Sequence, residues 1–444
     1  MTRRPGVSIS QALASATETR SLELGRGALD KTPDLFVKFF ADRPALVVAD
    51  PNTFAAAGRK VLDDLRTANA RTSEPLIFTD PGLYAEHKFV ELLEQALNRQ
   101  PAAVPVAVGS GTISDLTKLA AHRTRRRYFT VATAASMDGY TAFGASITFN
   151  GSKQTFACPA PLAVVADLNV IGSAPAELNA AGYADLLAKT CGGADWLLAD
   201  ALGIEPLHAQ AWNIVQSGLH EALADPAGVR SGDMEALHRL TQGLMLAGFA
   251  MQAASSSRPA SGAEHQFSHL WDMQHHRHLG SAPSHGFKVA IGTLASTALY
   301  EYLLDQPLES LDVQRCCADS AELSVLDRLS SSLGSANLVA VARQETRAKA
   351  LDRPALEAQL ERLRQVWPDL RPRLRQQLLP LHDLKQRLQA AGAPSAPEEI
   401  GIDRERLRRS FWQAWCIRRR FTVLDLAVRT GLLEPALDQI VNRL

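Results

Sequence analysis

Six of the chain's twelve histidines fall within Ser261–Ala290, which reads SGAEHQFSHLWDMQHHRHLGSAPSHGFKVA. His265 and His269 are four residues apart and share one face of a helix. His285 comes twenty residues after His265, behind Pro283, where a second helix can begin. Imidazoles projecting from packed helices are a common way to build a metal site. Joined by one carboxylate, and with a position left open, they suit a catalytic divalent cation such as Zn²⁺ or Fe²⁺. The carboxylate must come from another part of the chain. Asp185 stands in AAGYADLLAK (180–189), an acid inside an otherwise apolar helical segment. Buried alone it would be costly, and a cation would satisfy it. His275, His276 and His278 sit among Gln274 and Arg277 and read as an exposed helix end or loop.

A second constellation lies earlier. VAVGSGTISDLTK (106–118) runs from a strand into a helix. Gly109 and Gly111 have no Cβ, so a ligand can come close to the backbone there. The unpaired N–H groups of the helix start suit a pyrophosphate. Asp115, just inside that helix, suits the helix dipole and reads as structural. The next strand ends in TAASMDG (133–139). In an open α/β sheet, ligands lie at the carboxyl ends of the strands, and Asp138 projects from such an end. An Asp-Gly pair is also an ordinary turn former.

These residues need a scaffold, and the first third of the chain supplies one. Apolar runs at Ala45–Asp50, Pro75–Thr79, Val104–Val108, Tyr128–Ala132 and Ala163–Asp167 alternate with helical segments. That alternation predicts a parallel sheet with crossover helices. Alternating polarity around Asn150-Gly151 predicts a hairpin over 145–156. After about residue 172, helical periodicity dominates. The expectation is therefore a Rossmann-like α/β N-terminal domain with a parallel sheet, residues 1–172, followed by an all-α C-terminal domain, residues 173–444. A chain of 444 residues is long enough for two cores.

Composition narrows the partners. Lys plus Arg and Asp plus Glu both number 47, which argues against a nucleic-acid footprint over the chain. The basic runs His122–Arg127 and Ile417–Arg420 read as solvated loops or helix faces. Five scattered cysteines without a CxxC imply no disulfide framework and point to a reducing compartment, the cytoplasm. The N-terminal residues lack the apolar run of a secretory signal. No segment reaches the roughly 18 apolar residues of a membrane span.

The stretches GSGTISDLTK, TAASMDGY, AAGYADLLAK, SRPASGAEHQFSH and SHGFKVAIGT, in this order, resemble the glycerol-1-phosphate dehydrogenases. GIDRERLRRSFWQAWCIRRRFTVLDL resembles their bacterial branch, so the likeness spans roughly residues 40 to 430. That family sits in the superfamily of iron-containing alcohol dehydrogenase, glycerol dehydrogenase and dehydroquinate synthase. The resemblance implies reversible hydride transfer between NAD(H) or NADP(H) and dihydroxyacetone phosphate, a small phosphorylated polyol being the product. It implies cofactor roles for Gly109, Ser110, Gly111, Thr112 and Ile113, for Thr133, Ala134, Ala135 and Ser136, and for Asp50 on the adenosine ribose. It implies that Asp185, His265 and His285 hold one divalent metal, Zn²⁺ foremost, with Fe²⁺ or Ni²⁺ among relatives. Asp138, Asp185 and His269 would meet the substrate, and a homodimer or larger homo-oligomer is the family expectation. Two departures stand out: Ser110 replaces a frequent third glycine, and Ala142 replaces a polar cofactor contact. Lys153, Lys189, Arg258 and Lys288 are the candidates for the substrate phosphate. The rival readings are a glycerol or other polyol dehydrogenase, a sugar-phosphate cyclase of the dehydroquinate-synthase kind, and a non-catalytic nucleotide-binding protein.

Overall fold

The computed structural model describes residues 6–319 and 333–444, except for the side chains of Ser152 and Asp319. Two compact units result: one comprises the residues up to Leu186 together with Ala209–Ala260, the other Leu187–His208 together with the residues from Ser261 onward.

The first unit is built on a six-stranded sheet in the order β1-β8-β5-β4-β2-β3. The strands are β1 (Ser21–Gly25), β2 (Ala45–Ala49), β3 (Leu76–Ile77), β4 (Val104–Gly109), β5 (Phe129–Ala132) and β8 (Ala163–Asp167), and every pairing is parallel. The central strands are buried along their whole length, as parallel strands covered on both faces must be. Val47, Val106, Val108 and Val131 belong to the core on one face; Leu46, Val48 and Ala107 belong to the core on the other. β1 is the strand that the apolar runs do not reveal. It is an edge strand with only Leu22 buried, so SLELG lacks a continuous apolar signature. β6 (Ala145–Phe149) and β7 (Ser152–Phe156) form a separate antiparallel hairpin. Its two turn residues, Asn150 and Gly151, have φ of 49° and 72°, the pair of positive values that this dipeptide accepts.

Helix Met234–Ala254 packs against β1 and against the 3-10 turn Gly139–Thr141, which keeps it with the sheet. The compact units therefore do not divide where strands give way to helices near residue 172. The second unit is helical and centres on Ala263–Met273 packed against His285–Leu304.

Both basic runs are partly solvated, with His122, Arg123, Arg125 and Arg419 exposed, and several of their arginines also have partners in the fold. Arg126 donates to the carbonyls of Leu97, Gln100 and Ala103, closing the end of the helix His87–Arg99. Arg127 pairs with Glu18, and Arg419 with Glu345. Arg420 donates to Ser261. None of the five cysteines is in a disulfide, and all are buried. Among the described residues, no helix is long and apolar enough to cross a membrane.

Candidate functional site

In the first unit, the carboxyl ends of β4 and β5 carry the residues implied in cofactor binding. β4 ends at Gly109, and helix Gly111–Arg123 starts two residues later with Ser110 as N-cap. A Cβ on Gly109 would stand 2.6 Å from Ile113 Cβ, so the turn itself requires glycine there. A Cβ on Gly111 would meet only the Met137 side chain, Cγ at 3.4 Å and Cε at 3.8 Å, which are ordinary contacts. No protein atom demands glycine at 111; its missing side chain leaves room for a ligand. Ser110 makes no side-chain cap bond, so the N–H groups of Gly111, Thr112 and Ile113 lack the usual side-chain partner. Thr133, Ala134, Ala135 and Ser136 are buried just beyond β5.

Asp50 has a role in the fold itself. Its Oδ1 accepts from the N–H groups of Asn52 and Thr53, capping the turn that follows β2. Asp115 accepts the Ser146 N–H at 3.3 Å and thereby anchors the hairpin. Burial pushes its carboxyl above the usual carboxylate range, against the pull of Lys118.

The loop after β5 is clamped from several sides. Lys118, itself buried, donates to the carbonyls of Gly139, Ala142 and Gly144 at 2.9–3.0 Å. Ala142, which stands where the family has a polar cofactor contact, gives its carbonyl to Lys118. Gln252 donates to Thr141 O at 2.6 Å, and a Cβ on Gly248 would stand 2.1 Å from Thr141 Oγ1. Helix Ala176–Leu187 crosses closest of all, since a Cβ on Gly182 would lie 1.8 Å from Ala135 O. Gly182 and Asp185 are three apart and share a helix face. The close approach at Gly182 accordingly brings Asp185 to the same loop, where its Oδ2 accepts the Asp138 N–H at 3.1 Å. Asp185 is fully buried.

In the second unit, three of the clustered histidines converge. Ring centroids are 5.2 Å apart for His265 and His285, 6.2 Å for His265 and His269, and 6.3 Å for His269 and His285. Ser284 caps the second helix by accepting the Phe287 N–H, which makes His285 its first residue. Gly292 lets the two helices touch, for a Cβ there would stand 2.2 Å from Glu264 O. Asp195, buried, accepts from the Ala263 N–H, the Tyr300 hydroxyl and the Val423 N–H, tying three helices around the histidines. Lys288 is paired with Asp272.

The remaining histidines divide. His275 is exposed and His278 half-buried. His276 corrects the expectation of exposure: it is buried, its Nε2–H donates to Ile400 O, and its Nδ1 accepts from Arg406. Burial pushes its pKa below the ordinary histidine value.

Sequence reasoning passed over Lys118, Gly182, Asp195, Glu264 and Ser268. Asp195 carries the same signal that exposes Asp185, an acid in a segment of small and apolar residues. Glu264 Oε1 accepts from His265 Nδ1–H at 2.9 Å, and Ser268 Oγ lies 3.3 Å from His285 Nδ1.

The chain is similar to known proteins over much of its length. The family described as iron-containing alcohol dehydrogenase matches residues 23–175. A protein named glycerol-1-phosphate dehydrogenase [NAD(P)+] from Halalkalibacterium halodurans is 34% identical over 291 residues, 64% of this chain and 71% of that protein. Its namesake from Geobacillus thermodenitrificans is 28% identical over 403 residues, 90% of each chain. Among solved structures, a probable glycerol dehydrogenase from Sinorhizobium meliloti 1021 superposes with a TM-score of 0.60 at 17% identity, covering 96% of this chain and 98% of that one. At that identity the likeness is one of fold.

Proposed function

Because the chain belongs to the glycerol-1-phosphate dehydrogenase family, within the iron-containing alcohol dehydrogenase superfamily, we propose that it interconverts dihydroxyacetone phosphate and sn-glycerol 1-phosphate, using NAD(P)(H) and a divalent metal. One observation carries the reading. Within the second unit, His265 and His285 converge from two packed helices with ring centroids 5.2 Å apart, a pair of imidazoles able to share one ion, and the family resemblance adds Asp185 as the carboxylate. One carboxylate and two imidazoles with a position to spare form the donor set of a catalytic Zn²⁺ site, and Fe²⁺ or Ni²⁺ are the alternatives. Asp185 is a fully buried carboxylate, a position that favours a cation as its partner.

When bound, the nicotinamide supplies the hydride and the cation a Lewis acid for the carbonyl oxygen. The chain's own groups do the rest. The backbone at Gly111–Ile113 receives the pyrophosphate, and Thr133–Ser136 line the cofactor site. Asp50 keeps its Oδ2 for the ribose while Oδ1 caps its turn. The Asp138 N–H holds one oxygen of Asp185, orienting the carboxylate. The Asp138 side chain and His269 meet the substrate, and the proton that the new hydroxyl needs passes through His269 or a bound water. Lys153, Lys189 and Arg258 remain the candidates for the phosphate; Lys288 is already neutralised by Asp272. Five buried thiols suit a cytoplasmic enzyme. A homo-oligomer belongs to the same reading, and sedimentation tests it.

The deciding experiment follows NADH and NADPH absorbance with dihydroxyacetone phosphate. Metal-stripped enzyme is compared with enzyme given Zn²⁺, Fe²⁺ or Ni²⁺, and the product's stereochemistry is read afterwards. Metal-dependent oxidation giving sn-glycerol 1-phosphate is the expected result. Turnover of glycerol in its place would reassign the substrate, and no turnover with any metal would overturn the reading.

A further inference from the structure

Glu264 is wholly buried in the first turn of helix Ala263–Met273. An acid is favoured near a helix N-terminus, but it gains that benefit at the surface too. Here it is sealed in. A Cβ on Gly192 would stand 3.3 Å from Oε1, and one on Gly262 would stand 2.9 Å from Oε2. Oε1 accepts two hydrogen bonds, from the Gly262 N–H at 2.6 Å and from His265 Nδ1–H at 2.9 Å. Oε2 is buried with no hydrogen-bond partner among the described residues. Leaving a carboxylate oxygen so placed is expensive, and capping a helix does not require it. An exposed Ser, Thr, Asp or Asn at the N-cap would do that, whereas the N-cap here is Gly262.

What the carboxylate adds is a choice of tautomer. It accepts and cannot donate, so His265 must carry its proton on Nδ1 and keep the lone pair on Nε2. The contact at His285 is different in kind. Ser268 Oγ, at 3.3 Å from Nδ1, can donate or accept and selects neither tautomer.

We propose that Glu264 is the positioning residue of the metal centre: it fixes His265 in the Nδ1–H form, holds the ring's orientation, and presents Nε2 as the ligand atom. The proposal rests on the metal reading given above. Carboxylates that receive the second N–H of a ligand imidazole also raise its basicity, and their loss typically weakens metal binding by about 10–100-fold.

The test measures metal affinity, not turnover. Zn²⁺ dissociation constants are obtained by competition with a chromophoric chelator, and the visible spectrum of the Co²⁺-loaded protein reports the ligand field. The proteins are the wild type, Glu264→Gln, Glu264→Ala and His265→Ala, each with the Tm of its metal-free form. We expect Glu264→Ala to lose about 10–100-fold in affinity and to shift the Co²⁺ bands. Glu264→Gln should lose less, because its Oε1 still accepts from both donors but carries no charge. If Glu264→Ala does not fold, the isosteric Glu264→Gln decides alone. Wild-type affinity and an unchanged Co²⁺ spectrum in the glutamate variants would overturn the proposal, even with a lowered Tm, and leave Glu264 as a cap. Equal binding by wild type and His265→Ala would be a different failure, since it removes His265 from the metal and sinks the underlying reading as well.

Discussion

Gly182 offers the sharpest perturbation of the site without touching any ligand. Adding one methyl group, Gly182→Ala, would place a Cβ 1.8 Å from the carbonyl oxygen of Ala135. A comfortable carbon–oxygen contact is about 3.3 Å, so helix and loop must separate by roughly 1.5 Å. The obstructing atom is backbone and cannot rotate away. Helix propensity works in the other direction, since alanine is favoured over glycine inside a helix by about 1 kcal/mol. Overpacking of this kind costs about 1–3 kcal/mol, and the rigid partner puts this case at the upper end. The net expectation is destabilisation by about 2 kcal/mol, a fall in Tm of several degrees. The effect on activity should be larger. Asp185 lies one turn from Gly182 and accepts the Asp138 N–H across the same contact, so the shift passes directly to it. A misplacement of about 1 Å at a catalytic group can cost about 100-fold. The assay is kcat/KM for dihydroxyacetone phosphate reduction at saturating metal, alongside a thermal melt. A Tm equal to or above the wild type, together with unchanged kcat/KM, would refute the reasoning.

Gly111→Ala should behave in the opposite way. The protein has room for its Cβ, so Tm should hold or rise, while NAD(P)H affinity measured by fluorescence titration should fall. Asp185→Ala and His265→Ala should each abolish activity in a folded protein, as judged by circular dichroism; full activity at matched metal content would remove them from the metal site. Lys118→Met strips three carbonyls of their donor and should cost about 3 kcal/mol in chemical denaturation, with a raised KM from loosening of the Asp138 loop. Burial pushes the Cys158 thiol up to about 11. The unfolded chain therefore loses that proton first as pH rises, and the contribution of Cys158 to stability is intact below pH about 8.5 and declines from there toward about 11. Cys158→Ala should flatten the fall in stability over that interval, and an unchanged slope would count against it.

How much of this was legible beforehand depends on the range of the interaction concerned. The four central strands are continuous apolar runs because both faces are covered, and that demand is written residue by residue in Ala45–Ala49, Val104–Gly109, Phe129–Ala132 and Ala163–Asp167. Asn150-Gly151 names its own turn, since few other pairs accept two positive φ values. His265 and His269 share a face through helical spacing alone. β1 escaped notice because an edge strand is buried only in part.

Partners distant in the chain are another matter. That Asp195 receives donors from positions 263, 300 and 423, or that Lys118 answers carbonyls at 139, 142 and 144, follows from no local pattern. His276 looked like its neighbours His275 and His278 and was buried by Ile400 and Arg406. The sequence by itself determined the central strands, the hairpin and the helical segments, and which residues are of a ligating type, because those follow from backbone preference and side-chain chemistry. Only the tertiary structure decided that Gly182 sits on Ala135 O and that Glu264 sits on His265 Nδ1, because close packing selects partners by shape at distances no spacing rule encodes.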